Sequence, residues 1–566
     1  MSSDSATVGR PASVAKALAS WPSTASGRLL SLVLAFLVVN AVLLAPQWGA
    51  PGMVPFHWIA VEAWLVTLLF AALPRVWWSL VAALLVAALV VATGLIGLGD
   101  ASTRMSLSRP LNLYLDVQLL SAVLNLLTGT LGPFVAALAG VLAVCAVLAT
   151  VAVVGHLLAP PRRVRPLLWS RRNAVMALLT TGLVLFGARA AGGPGGLGFP
   201  AVRLAEEQAR FLSALNEERE VFEAELSTTT DSYADIPGLF ARLGGSDVVL
   251  AFVESYGSVV LDDPRYASVL RPRLEEMELR MAEAGLTLAS GSMVAPSQGG
   301  QSWLGHGSVL SGLWLHNQMR YDLLLASRRE TLIDDFRAAG YRTAALMPAI
   351  TLAWPEGELF GYDEIYDFAG IGYAGPPLNW VTMPDQFTWS FLEHTIRRRD
   401  DERPLFAELG LISSHAPWTP ILPVLEDWEG IGDGAVFEPW RDAGERPEDL
   451  WRDAERVREH FALSVDYAVH AATSYAERYV GSDMLLIILG DHQPAPLVTG
   501  DGAPRTVPVH VISGDPALVA PFLEWGFVPG AFPDPEADPP GMDQFRPWFV
   551  PTFSTPKELA GAGPGG

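Results

Sequence analysis

Several polar residues of this 566-residue sequence stand directly after apolar runs, at spacings that can build one reactive site. Glu254 follows DVVLAFV in the stretch VESYG, and His415 comes shortly after LFAELGL in LISSHAPW. Asp491 and His492 follow MLLIILG in LGDHQP. Two carboxylates and an imidazole make a mixed oxygen and nitrogen shell suited to Mn²⁺, Zn²⁺ or Mg²⁺. Each has a plainer reading alone: an acid after a strand serves as a cap, and a single histidine serves the core. Together they point to a metal site.

A further element is SQGGQSWLGH, ending at His306. Glycines 299 and 300 permit close backbone approach. Ser302 then opens a helix-like stretch, where free N–H groups and the helix dipole favour developing negative charge. That setting suits a nucleophile for a phosphate or sulfate ester, although a plain N-cap serine has the same local sequence. His306 lies four residues on, on the same helical face, and is a candidate for positioning the leaving group or the acceptor. Trp303, Trp354 and Trp418 are candidates for an entrance, or for core.

The elements around these residues alternate apolar runs with helical stretches. Runs at 247–253, 343–347, 405–411 and 484–489 read as strands, and 271–284, 329–339 and 455–478 read as helices. This predicts an α/β domain with a mostly parallel sheet, whose ligands bind beyond the carboxyl ends of the strands. Half of the chain is apolar, yet 60 acidic residues oppose 38 basic ones, a net charge of -22. An apolar N-terminal half and an acidic soluble half account for both. The acidic balance excludes a phosphate-backbone surface, so no nucleic-acid partner is expected. The one cysteine, Cys145, excludes an intrachain disulfide and a cysteine-based zinc cluster.

Apolar stretches at about 29–44, 58–73, 77–98, 134–158 and 174–190 predict five spanning helices. Arg162, Arg163, Arg165, Arg171 and Arg172 mark a cytoplasmic loop, and counting spans puts Arg75, Arg10, Lys16 and Arg28 on the same side. The N-terminus is then cytoplasmic and everything after 190 lies outside, in a multi-pass cell-membrane protein. The stretch 111–127, interrupted by Asn112, Asp116, Gln118 and Asn125, reads as an interfacial or re-entrant helix. The expected division is a cytoplasmic N-terminus (1–28), a membrane domain (29–191), a linker with an amphipathic helix (192–245), a catalytic domain (246–532) and a flexible tail (533–566) rich in Pro, Gly and Asp.

In this order (strand then Glu, Gly-rich segment then Ser, a downstream His, then Gly-Asp-His), the sequence resembles the alkaline phosphatase/sulfatase superfamily. It is most similar to the membrane-anchored lipoteichoic acid synthase-like branch, also in GYDEIYDF (361–368), MPDQFTW (383–389) and SVDYAV (464–469). The resemblance implies a single metal, commonly manganese, held by Glu254, Ser302, Asp491 and His492. It also implies Ser302 as nucleophile and His415 as a contact to the substrate phosphate. Ser302 lacks the Pro and Arg of a formylglycine signature, so an unmodified serine and phosphoester chemistry are expected. The segment MPAITLAWPE (347–356) keeps Trp354 as a substrate-binding candidate but carries Glu356 where the branch has a basic group, which implies a different head group. The function expected is a metal-dependent phosphodiester or phosphomonoester hydrolase, or phospho-group transferase. Its substrate would be lipid-linked or part of the envelope. The alternatives are a sulfate ester hydrolase and an inactive sulfatase-like scaffold.

Overall fold

The computed structural model describes residues 25–554, apart from 53, 75, 121–122, 125–126, 129–131, 160–172, 174, 178, 183–195 and 229–231. The chain divides into two compact units, 1–105 with 109–214, and 106–108 with 215–566.

The first unit holds α1 (Ala25–Gly49), α2 (Val61–Ala72), α3 (Trp77–Leu107) and α4 (Pro133–Leu158). Among the described residues, three helices are long and apolar enough to cross a membrane: Gly27–Gly49, Trp77–Leu107 and Pro133–Leu158. Helix α2 differs from the expected second span. It has 12 residues, about 18 Å of rise, which is short of a hydrocarbon core of about 30 Å. The backbone ahead of it is committed elsewhere, since Ile59 and Ala60 pair in parallel with Leu197 and Gly198. Most of the fifth expected span, 174–190, lies outside the described residues, as do Arg10, Lys16, Arg75 and the arginines of 162–172.

Arg28 is buried, and its guanidinium donates to the carbonyls of Leu157, Leu158 and Ala159 at the end of α4 and to that of Phe70. A cation there satisfies carbonyls that a helix end leaves open. The start of 111–127 departs from the expected helix. Arg109 and Asp116 form a two-pronged ion pair across a turn, and Asp116 also accepts from the Asn112 N–H. These bonds fold 109–116 back on itself, and a short 3-10 turn, Asp116–Gln118, follows. The described residues beyond it (119–120, 123–124 and 127–128) are helical, as expected for the rest of that stretch.

Helix α5 (Pro200–Thr228) covers the expected amphipathic stretch. The second unit is then built on an eight-stranded sheet: β1 (Asp247–Val253), β2 (Thr287–Val294), β3 (Arg342–Met347), β4 (Glu364–Asp367), β5 (Leu405–Leu411), β6 (Met484–Gly490), β7 (Thr506–Ser513) and β8 (Val528–Pro529). Their order across the sheet is β8-β2-β7-β6-β1-β5-β3-β4. The run from β6 to β4 is parallel, and β7, β2 and β8 join antiparallel.

Alternation along β1 feeds two cores. Val249, Ala251 and Val253 enter one, while Val248, Leu250 and Phe252 enter the other. The first core is closed by α6 (Pro264–Glu283), through Leu270, Leu274, Met277 and Met281, and by a later helix, through Val457, Phe461, Val465 and Ala472. The second takes Leu304, Val309 and Leu310 from α7 (Ser302–Ser311). The later helix is α8 (Ala454–Tyr479), which starts where Asp453 accepts from the N–H groups of Glu455 and Arg456.

The tail expected from 533 is, as far as Ser554, part of this second core. Helix α9 (Phe545–Phe553) buries Phe545, Phe549 and Phe553. Its Arg546 makes a fully buried pair with Asp335 at 2.7 and 3.1 Å. Composition alone pointed to a tail because Pro, Gly and Asp dominate 533–541, and the aromatic spacing that follows outweighs them.

Candidate active site

Register places the candidate residues side by side. The last residue of β1, Val253, lies opposite Leu411 of β5 and Gly490 of β6. The next residues, Glu254, Ile412 and Asp491, therefore leave the sheet at one level, at the carboxyl edge where parallel sheets bind ligands. Gly490 is required for this exit. A Cβ there would stand 1.9 Å from the Tyr256 carbonyl oxygen, a backbone atom that cannot step aside. Gly490→Ala is expected to cost about 3 kcal/mol or more, read as a lower denaturation midpoint of the full chain. An unchanged midpoint would show that the two strand ends separate freely.

Glu254, Asp491 and His492 offer one ligand atom each, all within 4.8 Å of one another. The side chains are oriented before any ion arrives. Asp491 Oδ1 accepts the N–H groups of Ser255 and His492, both at 2.7 Å. Glu254 Oε1 accepts the Ser255 hydroxyl at 2.7 Å. His492 Nδ1 stands 2.9 Å from the Gln493 carbonyl. A carbonyl only accepts, so Nδ1 carries the proton and Nε2 keeps its lone pair. That Nε2 is buried without a hydrogen-bond partner. It lies 3.6 Å from Glu254 and 3.5 Å from Asp491.

Burial, and then the Glu254 charge, push the Asp491 carboxyl up to about 6. Burial opposes ionisation of Glu254 as well, but His492 and His415 hold it below its usual range. Burial alone lowers His492, and Asp491 and Glu254 outweigh it to leave the ring raised. Two crowded carboxylates and an orphaned imidazole nitrogen fit a divalent cation.

Ser302 is the first residue of α7, with its Oγ 3.5 Å from Glu254 Oε2. It is half-buried, and its hydroxyl acts to lower the Asp491 carboxyl. Gln301 before it and Ser255 after Glu254 both hold positive φ, 63° and 56°. Side chains other than glycine pay on the order of 1 kcal/mol for this. The serine is thus presented by a backbone bent against its preference. Loop 297–301 is tied to the Asp491 side by the Gly299 N–H, which donates to the Gln493 carbonyl at 2.8 Å, and by Gln298, which donates to Thr499 and Pro494.

His415 is near enough to Glu254 to lower its carboxyl. Its Nδ1 is bonded to the Ala416 carbonyl at 2.5 Å, so Nε2 is again the open atom. Ser414, beside it, donates to the Glu254 carbonyl at 2.6 Å. Asp385 holds the base of this loop, accepting the N–H groups of Ile412 and Ser413 at 2.8 Å each. Burial pushes its carboxyl up to about 6.

His306 lies near enough to Asp491 to favour its ionised carboxylate, and its Nδ1 meets Glu408 at 2.6 Å. The tryptophans divide. Trp303 is exposed and donates to Gln318. Trp418 is buried and stacked on Trp451. Trp354 is partly buried, packing against the second core and across Gly357. Among residues that sequence reasoning missed, Trp380 is exposed with its ring 6.1 Å from that of His415. Asp385, Ser255 and Gln493 were missed too. The isolated carboxylate in LFAELGL, Glu408, was a visible signal.

No family model and no curated protein matches this chain. Similar solved structures do exist. They include the lipoteichoic acid synthase LtaP from Listeria monocytogenes, with 12% identity, 57% of this chain and 77% of that chain covered, and a TM-score of 0.37. The C-terminal periplasmic domain of EptC from Escherichia coli has 15% identity, 51% and 76% coverage, and a TM-score of 0.33. The phosphoglycerol transferase GacH of Streptococcus pyogenes has 12% identity, 53% and 74% coverage, and a TM-score of 0.33. At identities and TM-scores this low, the functional reading rests on the site's own residues.

Proposed function

We propose that this chain is a membrane-anchored phosphoester hydrolase or phospho-group transferase of the alkaline phosphatase/sulfatase kind, using Ser302 as its nucleophile. The observation that carries the reading is the convergence of Glu254, Asp491 and His492 at one sheet edge with the Ser302 hydroxyl beside them. A divalent ion held by those three residues and Ser302, manganese by the sequence resemblance, would draw charge from the serine oxygen and from the phosphoryl group. The chain's own residues do the rest. The helix N-terminus presents Ser302 to the phosphorus. His415, with Nδ1 tied back, offers Nε2 to a non-bridging oxygen. Water or an alcohol then resolves the seryl ester from the opposite face, which makes the chain a hydrolase or a transferase respectively.

The three helices long and apolar enough to span support a multi-pass location in the cell membrane, and the basic residues of the sequence favour a cytoplasmic N-terminus with the catalytic unit outside. A lipid-linked or envelope phosphoester follows as substrate. The test uses the full chain in detergent with Mn²⁺ and a panel of phosphodiesters, phosphomonoesters and sulfate esters. Metal-dependent turnover of a phosphoester is the expected result. Turnover of sulfate esters alone would make it a sulfate ester hydrolase, and silence across the panel would favour a scaffold.

A further inference from the structure

Glu408 is a buried carboxylate outside the metal cluster. Glu408 sits in the middle of β5, 1% exposed, in an otherwise apolar strand. A carboxylate is costly there unless both oxygens are satisfied. They are: Oε1 meets His306 Nδ1 at 2.6 Å, and Oε2 accepts the Tyr362 hydroxyl. Burial, and then the Glu408 charge, hold the Tyr362 hydroxyl well above its usual range, so it keeps its proton and donates. Glu408 is an acceptor on both sides, so His306 Nδ1 is a donor and Nε2 is left for chemistry. The ring plane is fixed as well. His306 stacks on Phe252 at 3.7 Å and 20°. Phe252 is two residues before Glu254 on β1, and His306 is one turn after Ser302 on α7. Ring, nucleophile and cluster therefore share one end of the sheet.

We infer that Tyr362 and Glu408 hold His306 as the proton carrier for this site, giving a proton to the leaving oxygen and taking one from the incoming oxygen. The inference rests on the Ser302 reading above. In the first half, the Ser302 oxygen loses its proton to solvent and bonds phosphorus. The bond from phosphorus to the leaving oxygen breaks, and that oxygen takes the proton from Nε2. In the second half, water or an alcohol passes a proton to Nε2 and bonds phosphorus. The phosphoseryl bond breaks, and the serine oxygen recovers a proton from solvent. Glu408 offsets the ring's charge while Nε2 holds its proton. His306 is the catalytic residue here, and Glu408 and Tyr362 are positioning residues.

The test compares two esters of one phosphoryl group on the full chain with Mn²⁺. One has a 4-nitrophenolate leaving group, which departs without a proton, and the other an alkoxide, which does not. The readout is kcat/KM, which ends at release of the leaving group. For His306→Ala the alkyl ester is expected to fall by about 10²- to 10⁴-fold, and the nitrophenyl ester by about tenfold or less. Glu408→Gln and Tyr362→Phe should show the same asymmetry in weaker form, with bound metal unchanged. Equal losses on both esters, in variants that melt and bind metal as the parent does, would overturn the inference and leave a structural network. If His306→Ala does not fold, His306→Asn, whose amide can donate to Glu408, is read the same way. Failure of the underlying reading looks different: Ser302→Ala would then keep its turnover, or the parent would turn over neither ester.

Discussion

Ser302→Ala is expected to lower phosphoester turnover by about 10⁴-fold and to leave the melting temperature within about 2 °C. The large loss follows from chemistry. Without the hydroxyl no seryl ester forms, and what remains is positioning by the surrounding groups, a residue of catalysis seen when nucleophiles are removed elsewhere. The small structural effect follows from position. Ser302 is half-buried, it is the first helical residue and not the N-cap, and its hydroxyl bonds only the cluster it serves. Removing it leaves no core cavity. Acid quenching of the parent with a ³²P-labelled ester should trap label on the protein, and the alanine variant should carry none. Turnover in the variant above a tenth of the parent's would reject Ser302 as nucleophile and leave direct attack by water.

What the sequence made legible was local. The strands β1 and β6 are apolar runs, β5 is one broken only by Glu408 and Gly410, and the residue after each run is where parallel strands end. Glu254, Asp491 and His492 could therefore be picked out, because their positions depend on strand ends and those on apolar periodicity. Ser302 was visible through its glycines. For Trp354 the sequence left both readings open, because an aromatic residue beside a turn carries no mark of whether it faces solvent or Gly357. Glu408 carried its signal openly, an acid amid LFAELGL, but its partners Tyr362 and His306 are set by tertiary pairing across 46 and 102 residues. Nothing local to Tyr362 encodes that meeting. The α2 segment shows the same limit in the first unit: hydropathy sees an apolar stretch, while the pairing of Ile59 with Leu197 that shortens the helix is long-range.

Asp491→Asn is expected to stabilise the metal-free chain at pH 8 and to abolish its response to Mn²⁺. The sign follows from linkage. Burial and Glu254 raise the folded Asp491 carboxyl to about 6, above its unfolded value of about 3.9. The folded state then holds the extra proton between those values, so stability falls as pH climbs through that window and the loss is complete above it. A raised His492 works in the same direction at higher pH, since the folded ring gives up its proton late. Glu254, held low, contributes the opposite way, with stability lost only as pH falls below its usual range. At pH 8 the metal-free site therefore carries the Asp491 charge against both burial and Glu254, and removing it relieves on the order of 2–3 kcal/mol. Asparagine keeps the fold of the loop, because its Oδ1 can still accept the N–H groups of Ser255 and His492. In the parent, Mn²⁺ at about 1,000 times its dissociation constant should restore about 4 kcal/mol, and a chelator should remove it. Thermal melts of parent and variant at pH 4 and pH 8, each with Mn²⁺ and with chelator, separate these terms. The variant should melt above the parent only at pH 8 with chelator, and below it once Mn²⁺ is added. A variant that melts lower than the metal-free parent at pH 8 would mean that the Asp491 charge is already balanced by the protein. The crowding of Glu254, Asp491 and His492 would then be no argument for a cation.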